Sequence, residues 1–355
     1  MNITVITPPL VQLNSPYPSG AYLTSFFKSL GHDCHWKDLS IGLVYELFSK
    51  EGLTRLFEVS QESALKLASQ AQTDGDENTA FNIRRYLSTK ENWIKWIDDI
   101  LLILCGKGRE KEHQFLFSPF APRGARMEAF LAGLDHEPSV DDVRFLASYA
   151  LADLADYITA VFDPEFSLIR YAEHLTVDER DFSQIEKGLS SPIMQNFYQK
   201  LLEKTFDKEV CPDMVCISIP FAGTFLPALY TARYLKKLYG DRVFIVIGGG
   251  FVNTELRDAS EPALGKYINA ISYDRGYGSY KALFDQASEM SLSKTPEMSL
   301  SQLLEVSLSG STRQSLYKLR LFTPDSIIPP LFEDKELEAY ETKITAQVVP
   351  DYSDV

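Results

Sequence analysis

Three turns, each following an apolar run, gather the residues best suited to touch a ligand. Asn14, Tyr17 and Ser19 follow Ile3-Thr-Val-Ile-Thr; Ser218, Phe221, Gly223 and Thr224 follow Met214-Val-Cys-Ile; Gly248, Gly249, Gly250 and Asn253 follow Val243-Phe-Ile-Val-Ile. Glycines without Cβ let a bulky group approach the main chain. The hydroxyls of Ser218 and Thr224 and the amides of 221–223 can donate to an amide or a phosphate. This is the chemistry of binding rather than bond cleavage. The five histidines have no nucleophile–base motif around them, which argues against an independent hydrolase. Cys211 and Cys216 have C-x4-C spacing without a second Cys or His pair, so Cys216 reads as a small hydrophobe within a strand. Cys34 and Cys105 stand alone, and four cysteines so scattered form no disulfide framework. His32 and His35, at and within a second strand, read as an exposed residue and a strand-face residue.

Period-two and helical patterns define the elements that must hold these turns in place. A strand over 2–7 ends at Pro8-Pro9, because proline cannot donate to a ladder. Ser19 is the expected N-cap of a helix over 21–30 that Gly31 stops, and a strand over 32–39 completes a right-handed β-α-β unit. From 41 to 210 the period is helical. Trp93, Trp96, Ile97, Ile100, Leu101 and Leu104 make one stripe, and Met194, Phe197, Tyr198, Leu201 and Leu202 another. Such stripes are core. Further helices are expected at 43–59, 62–71, 81–87, 127–133 and 140–162. Strands at 213–219, 243–247 and 269–273, with helices at 225–239 and 276–287, resume the sheet, and a short strand follows at 315–322. The expected fold is therefore α/β, a doubly wound parallel sheet from 1–42 and 211–287 with a large α-helical insertion at 43–210. Residues 288–355 form a Ser-rich connector and a polar tail.

Composition places the chain among soluble cytoplasmic proteins. Apolar residues make up 45% and charged residues 24% of 355, and the formal net charge is −14. A net-acidic surface repels phosphate backbones and anionic lipid, which disfavours nucleic acid and membrane as partners. No apolar run approaches the roughly 20 residues that span a bilayer, and residues 1–12 show no secretory leader.

Three segments resemble a known family: Thr7-Pro-Pro-Leu-Val-Gln-Leu-Asn-Ser-Pro-Tyr-Pro-Ser-Gly-Ala-Tyr-Leu, Gly31-His-Asp-Cys-His-Trp-Lys-Asp-Leu-Ser-Ile-Gly and Gly248-Gly-Gly-Phe-Val-Asn-Thr-Glu-Leu-Arg. They look like the amino-terminal half of cobalamin-domain radical S-adenosylmethionine proteins, over residues 1–45 and 211–285. In that family a cobalamin-binding-type Rossmann-like domain precedes a barrel whose C-x3-C-x2-C loop holds a [4Fe–4S] cluster. Pro350-Asp-Tyr-Ser-Asp resembles the link into that barrel, whose motif is absent from this chain. The resemblance implies an accessory domain that is not catalytic alone. It would be either an excised amino-terminal half or a stand-alone relative, working with a radical SAM barrel in cis or in trans on a peptide or small-molecule substrate. The cluster and S-adenosylmethionine would belong to the missing half. The cobalt-ligating pattern of cobalamin modules is D-x-H-x-x-G, whereas the loop 8–20 has no histidine, so cobalamin would bind without a protein imidazole. Asp274 falls where relatives carry acid and glycine residues, but Arg275-Gly-Tyr-Gly departs from their acid-rich pattern. Two alternatives remain beside this reading: a ligand-free docking scaffold, and a nucleotide- or phosphate-binding α/β protein using the 248–250 turn.

With no three-thiolate loop to leave one iron open for S-adenosylmethionine, anaerobically purified protein is expected to carry no iron–sulfur cluster. Stoichiometric iron and acid-labile sulfide would contradict this.

Overall fold

The computed structural model describes residues 1–11, 13, 16–168, 182–257, 262–274, 276–293, 317–319 and 330. By Cα packing the described residues form two compact units, one comprising 1–11, 17–40 and those within 182–330, the other 13, 16 and 41–168. The strands are β1 (Asn2–Thr7), β2 (Asp33–Asp38), β3 (Met214–Ser218), β4 (Phe244–Gly248), β5 (Ala270–Ser272) and β6 (Tyr317–Leu319). The helices run α1 (Ser19–Ser29), α2 (Leu39–Leu47), α3 (Lys50–Thr73), α4 (Glu77–Ser88), α5 (Lys90–Leu104), α6 (Arg109–Phe117) and α7 (Ala125–Ala132). They continue with α8 (Val143–Val161), α9 (Phe182–Gly188), α10 (Gln199–Phe206), α11 (Phe225–Tyr239), α12 (Gly250–Thr254) and α13 (Tyr277–Ser293).

In the first unit the six strands pair in the order β2-β1-β3-β4-β5-β6, and every pairing is parallel. Ile3 lies opposite Met214 and Val5 opposite Cys216, so segments far apart in sequence build one sheet, as expected. The cause is their lack of a polar face. Ile3, Val5 and Cys216 point to one side and Ile6, Val215 and Ile217 to the other, and all are buried. Strands of this kind need helices on both faces. On one face Ala21, Phe26 and Phe27 of α1 and Tyr280, Leu283 and Phe284 of α13 join Val5, Trp36, Cys216 and Val246 in one core. The chain is thus a doubly wound, Rossmann-like α/β protein. Its strand order is that of flavodoxin-type sheets extended by β6, with the direction of winding reversing between β1 and β3.

Some helix ends follow local chemistry. Gly31, at φ +81°, closes α1 by donating to Lys28 O at 3.0 Å, while His32 donates to Phe27 O at 3.1 Å, which is a Schellman end. Ser19 does not cap this helix as expected. Pro18 is the residue before the first turn, no side chain caps it, and the Ser19 hydroxyl donates to Ser218 Oγ at 2.8 Å instead. Ser49 caps α3 by accepting from the Gly52 amide at 2.9 Å, which splits the helix expected over 43–59 and lets α3 run on to Thr73.

A π-helical turn at Met194–Tyr198 leads into α10. Its extra residue advances the apolar stripe, so Met194, Phe197, Tyr198, Leu202 and Phe206 are buried, whereas Leu201, expected in the core, is only half-buried. This segment and α9 before it group with the sheet unit and not with α3 to α8. Tyr230 of α11 donates to Gln199 Oε1 at 3.1 Å, and Tyr239 donates to Phe206 O at 3.0 Å.

The second unit contains α3 to α8, with no strand among its described residues. Trp93, Trp96 and Ile100 are buried as their spacing requires. Tyr157 packs on Phe57 and Tyr86, and its hydroxyl shares a 2.9 Å hydrogen bond with Ser60. Among the described residues of the chain, no helix is long and apolar enough to cross a membrane.

Asp153 of α8, fully buried, performs the cap that α7 lacks locally. Its carboxylate accepts the Arg126 amide at 2.8 Å and the Met127 amide at 3.1 Å. Burial raises its pKa to about 6 against the lowering effect of these bonds. A folded-state pKa above the unfolded value of about 3.9 contributes stability that is present at low pH and lost as pH rises through the folded pKa. Wild type should therefore lose about 1–3 kcal/mol relative to Asp153→Asn between pH 4 and pH 7. Urea unfolding of both proteins at the two pH values measures this; a constant difference would refute it.

Candidate functional site

Side chains alternate along a strand, so Ser218, Gly248 and Ser272 lie on the same sheet face as Cys216, Val246 and Ala270. Register places Ser218 beside Gly248. At the carboxyl ends of β3, β4 and β5, three small residues therefore replace the bulky core packed beneath α1 and α13. A cavity of about 440 Å³ opens there. It falls within the roughly 300–1,000 Å³ of small-molecule sites. Cys216, Ser218, Gly248 and Ser272 line it from the strands, Tyr22 and Leu23 from α1, and Tyr277 and Tyr280 from α13. Tyr17, Ser19 and Asp274 contribute from the turns and the start of α1.

The lining is rich in hydroxyls and poor in charge. Ser19 is held against Ser218 by their 2.8 Å bond, across the point where the winding direction reverses. The Tyr280 phenol, almost fully buried, shares hydrogen bonds with Ser272 and Cys216. Burial raises the Tyr280 phenol and the Cys216 thiol well above their ordinary pKa values, and each keeps its proton at neutral pH. Neither is then a nucleophile or base. Burial also raises Tyr17, whose ring stands edge-on to Phe221 at 5.9 Å. Among the described residues no Lys, Arg or His lines the cavity, and Asp274 is the one charged lining residue.

Asp274 has an uncommon backbone, with φ +59°. Its amide donates to Asn253 Oδ1 at 2.7 Å, its carbonyl accepts from Asn253 Nδ2 at 3.4 Å, and Arg257 Nη1 donates to its Oδ1 at 3.0 Å. The turn after β5 is thereby fastened to α12.

Of the residues singled out by sequence, Tyr17, Ser19, Ser218, Gly248 and Gly249 line this cavity. The others have different places. Phe221 packs on Tyr17, and Thr224 is buried and donates to Phe221 O at 2.7 Å, closing the short turn that contains Gly223. Gly250 begins α12, and Asn253 acts through Asp274. Asn14 lies outside the described residues. Sequence reasoning missed Tyr22, Leu23, Ser272, Tyr277 and Tyr280. A signal existed for Ser272, which ends its strand in phase with Ser218 and Gly248, and for Tyr277 and Tyr280, one helical turn apart.

The histidines near β2 serve other ends. His35 Nε2 pairs with Asp33 at 3.2 Å on the surface, and the His32 ring packs on Phe284 at 4.5 Å, where burial lowers its pKa. Among the described residues, no group of three or more His, Cys, Asp or Glu is placed to hold a metal ion. Comparison with known proteins adds no relative: no family model matches the chain, and neither a curated protein nor a solved structure does.

Gly249 is required by its backbone. Its φ is +115°, and an added Cβ would lie 2.5 Å from Ile219 O. A bulky residue there would disrupt the turn as well as the cavity, so its binding effect could not be read separately. Gly249→Ala should lower stability by about 1–3 kcal/mol. Denaturant unfolding measures the loss, and unchanged stability would contradict it.

Proposed function

We propose that the sheet unit is a cofactor-binding module that takes the flat heteroaromatic tail of a cobalamin-type corrinoid between α1 and α13. In this reading it serves a radical S-adenosylmethionine barrel, in cis or in trans, and does not catalyse a reaction alone. The observation that carries the reading is the step of small residues Ser218, Gly248 and Ser272 beneath Tyr22, Tyr277 and Tyr280. Aromatic walls favour a planar group, and hydroxyls below it can hydrogen-bond ring nitrogens or sugar oxygens. A volume of about 440 Å³ suits a nucleoside-sized group rather than a whole corrin macrocycle.

The fit is one of shape and of hydroxyl-rich polarity. Ser218 and Ser272 would hold the polar edge of the tail, the main chain at Gly248 and Gly249 would lie close to it, and Tyr22 and Tyr277 would flank it. A bound corrinoid supplies methyl-group carriage to a partner reaction. The loop 8–20 contains no histidine, so nothing on it would compete for cobalt. A phosphate-binding role gains no support from the described lining residues, which include no Lys, Arg or His.

Absorbance titration with hydroxocobalamin and with cobinamide, which lacks the nucleotide tail, tests the reading. Wild type should bind hydroxocobalamin at least about tenfold more tightly than cobinamide. Ser19→Leu, which fills the cavity from a half-buried position, should abolish that preference while circular dichroism and melting report an intact fold. Equal binding of both corrinoids would move the site elsewhere, and no binding would leave the docking scaffold as the better reading.

A further inference from the structure

We propose that the groove between α10 and α11 is a second binding site, which takes an α-amino acid with its ammonium against Glu203 and Asp207 and its carboxylate against Arg233 and Lys237. The groove has a volume of about 430 Å³, lies wholly within the sheet unit, and is independent of the corrinoid reading. Its walls follow the helix period. Gln199, Glu203 and Asp207 recur at every fourth residue along α10 and its end, while Tyr230, Arg233, Tyr234 and Lys237 share one face of α11. Phenols tie the two walls together: Tyr230 donates to Gln199 Oε1 at 3.1 Å, and Tyr234 donates to the Asp207 carboxylate. The charged rows share the groove without closing on each other. No ion pair joins Glu203 or Asp207 to Arg233 or Lys237.

Each wall therefore carries one sign of charge. Like charges at i and i+4 of a helix repel, which applies to Glu203 with Asp207 and to Arg233 with Lys237. The two carboxylates also stand at the carboxyl end of α10, where the helix dipole disfavours an anion. A ligand carrying both signs relieves both repulsions at once, whereas a simple anion or cation relieves only one. Donors and acceptors remain for it. Glu203 accepts from Gln199 Nε2 at 2.9 Å through Oε1, which leaves its second oxygen, and Arg233 gives Nη2 to Leu189 O at 3.0 Å, which leaves further guanidinium donors. The guanidinium lies over the Tyr230 ring, 4.7 Å from its centroid, and is thereby held beside the groove. Hydrogen bonds between ionised groups are the stronger kind, and the tyrosine rings offer surface to an apolar side chain.

Calorimetric titration of the full chain with three probes tests this: L-phenylalanine, L-phenylalaninamide, which lacks the carboxylate, and N-acetyl-L-phenylalanine, which lacks the ammonium. Wild type should bind L-phenylalanine at least about tenfold more tightly than either derivative. Lys237→Met should weaken L-phenylalanine to the level of the amide, and Glu203→Gln should weaken it to the level of the N-acetyl derivative. Lys237 is exposed and Glu203 half-buried, and both replacements are good helix formers, so the melting temperature should not change. No heat with L-phenylalanine, equal affinity for the three probes, or wild-type affinity in either variant would overturn the proposal.

Discussion

The parallel pairing of β1 with β3 is the constraint on which the sheet unit depends. Ile3, Val5 and Ile6 have no polar face, and neither do Val215, Cys216 and Ile217, so each strand must be covered on two sides and flanked on two edges. Ile3 lies beside Met214 at the centre of this arrangement, with β2 beyond β1 on one side and β4, β5 and β6 beyond β3 on the other. The same pairing brings the start of α1 to the end of β3. The Ser19–Ser218 hydrogen bond then joins residues 199 positions apart, at the point where the winding direction reverses.

The cavity follows from a change in side-chain size along otherwise uniform strands. Cys216, Val246 and Ala270 pack beneath α1 and α13, and one step further along each strand's alternation stand Ser218, Gly248 and Ser272. Bulk that would fill the gap is missing, and hydroxyls take its place. A buried hydroxyl needs partners, and here the hydroxyls find them in one another: Ser19 with Ser218, and Tyr280 with Ser272 and Cys216. The result is a hydroxyl-rich lining, pre-formed by contacts between elements of the sheet unit.

The helical unit shows the complementary strategy, in which a charge is buried to hold two helices together. Asp153 supplies acceptors for the first amides of α7 from a position on α8. A carboxylate in that place tolerates burial because backbone donors face it, and its raised pKa measures how incompletely they compensate. Gly124 is part of the arrangement, since a Cβ there would lie 2.1 Å from the Asp153 carboxylate.

Much of this was legible in the order of residue types. Apolar runs located the strands β1 and β3 to β5, the β-α-β pattern located β2, helical stripes located most helices, and the discontinuous sheet followed from strands that could not be half-exposed. The glycine and serine turns pointed to the edge of the sheet at which the cavity opens. Sequence alone did not reveal that the Ser19 side chain would bond Ser218 instead of capping α1, that a π-helical turn would leave Leu201 half-buried, or that Ser272, Tyr277 and Tyr280 would complete the cavity. Local pattern determines which face of an element is apolar, because periodicity is a property of a single segment. Which residues of different segments meet is decided by strand order and register, and these are set only when the whole sheet assembles and every buried polar atom must find a partner in space.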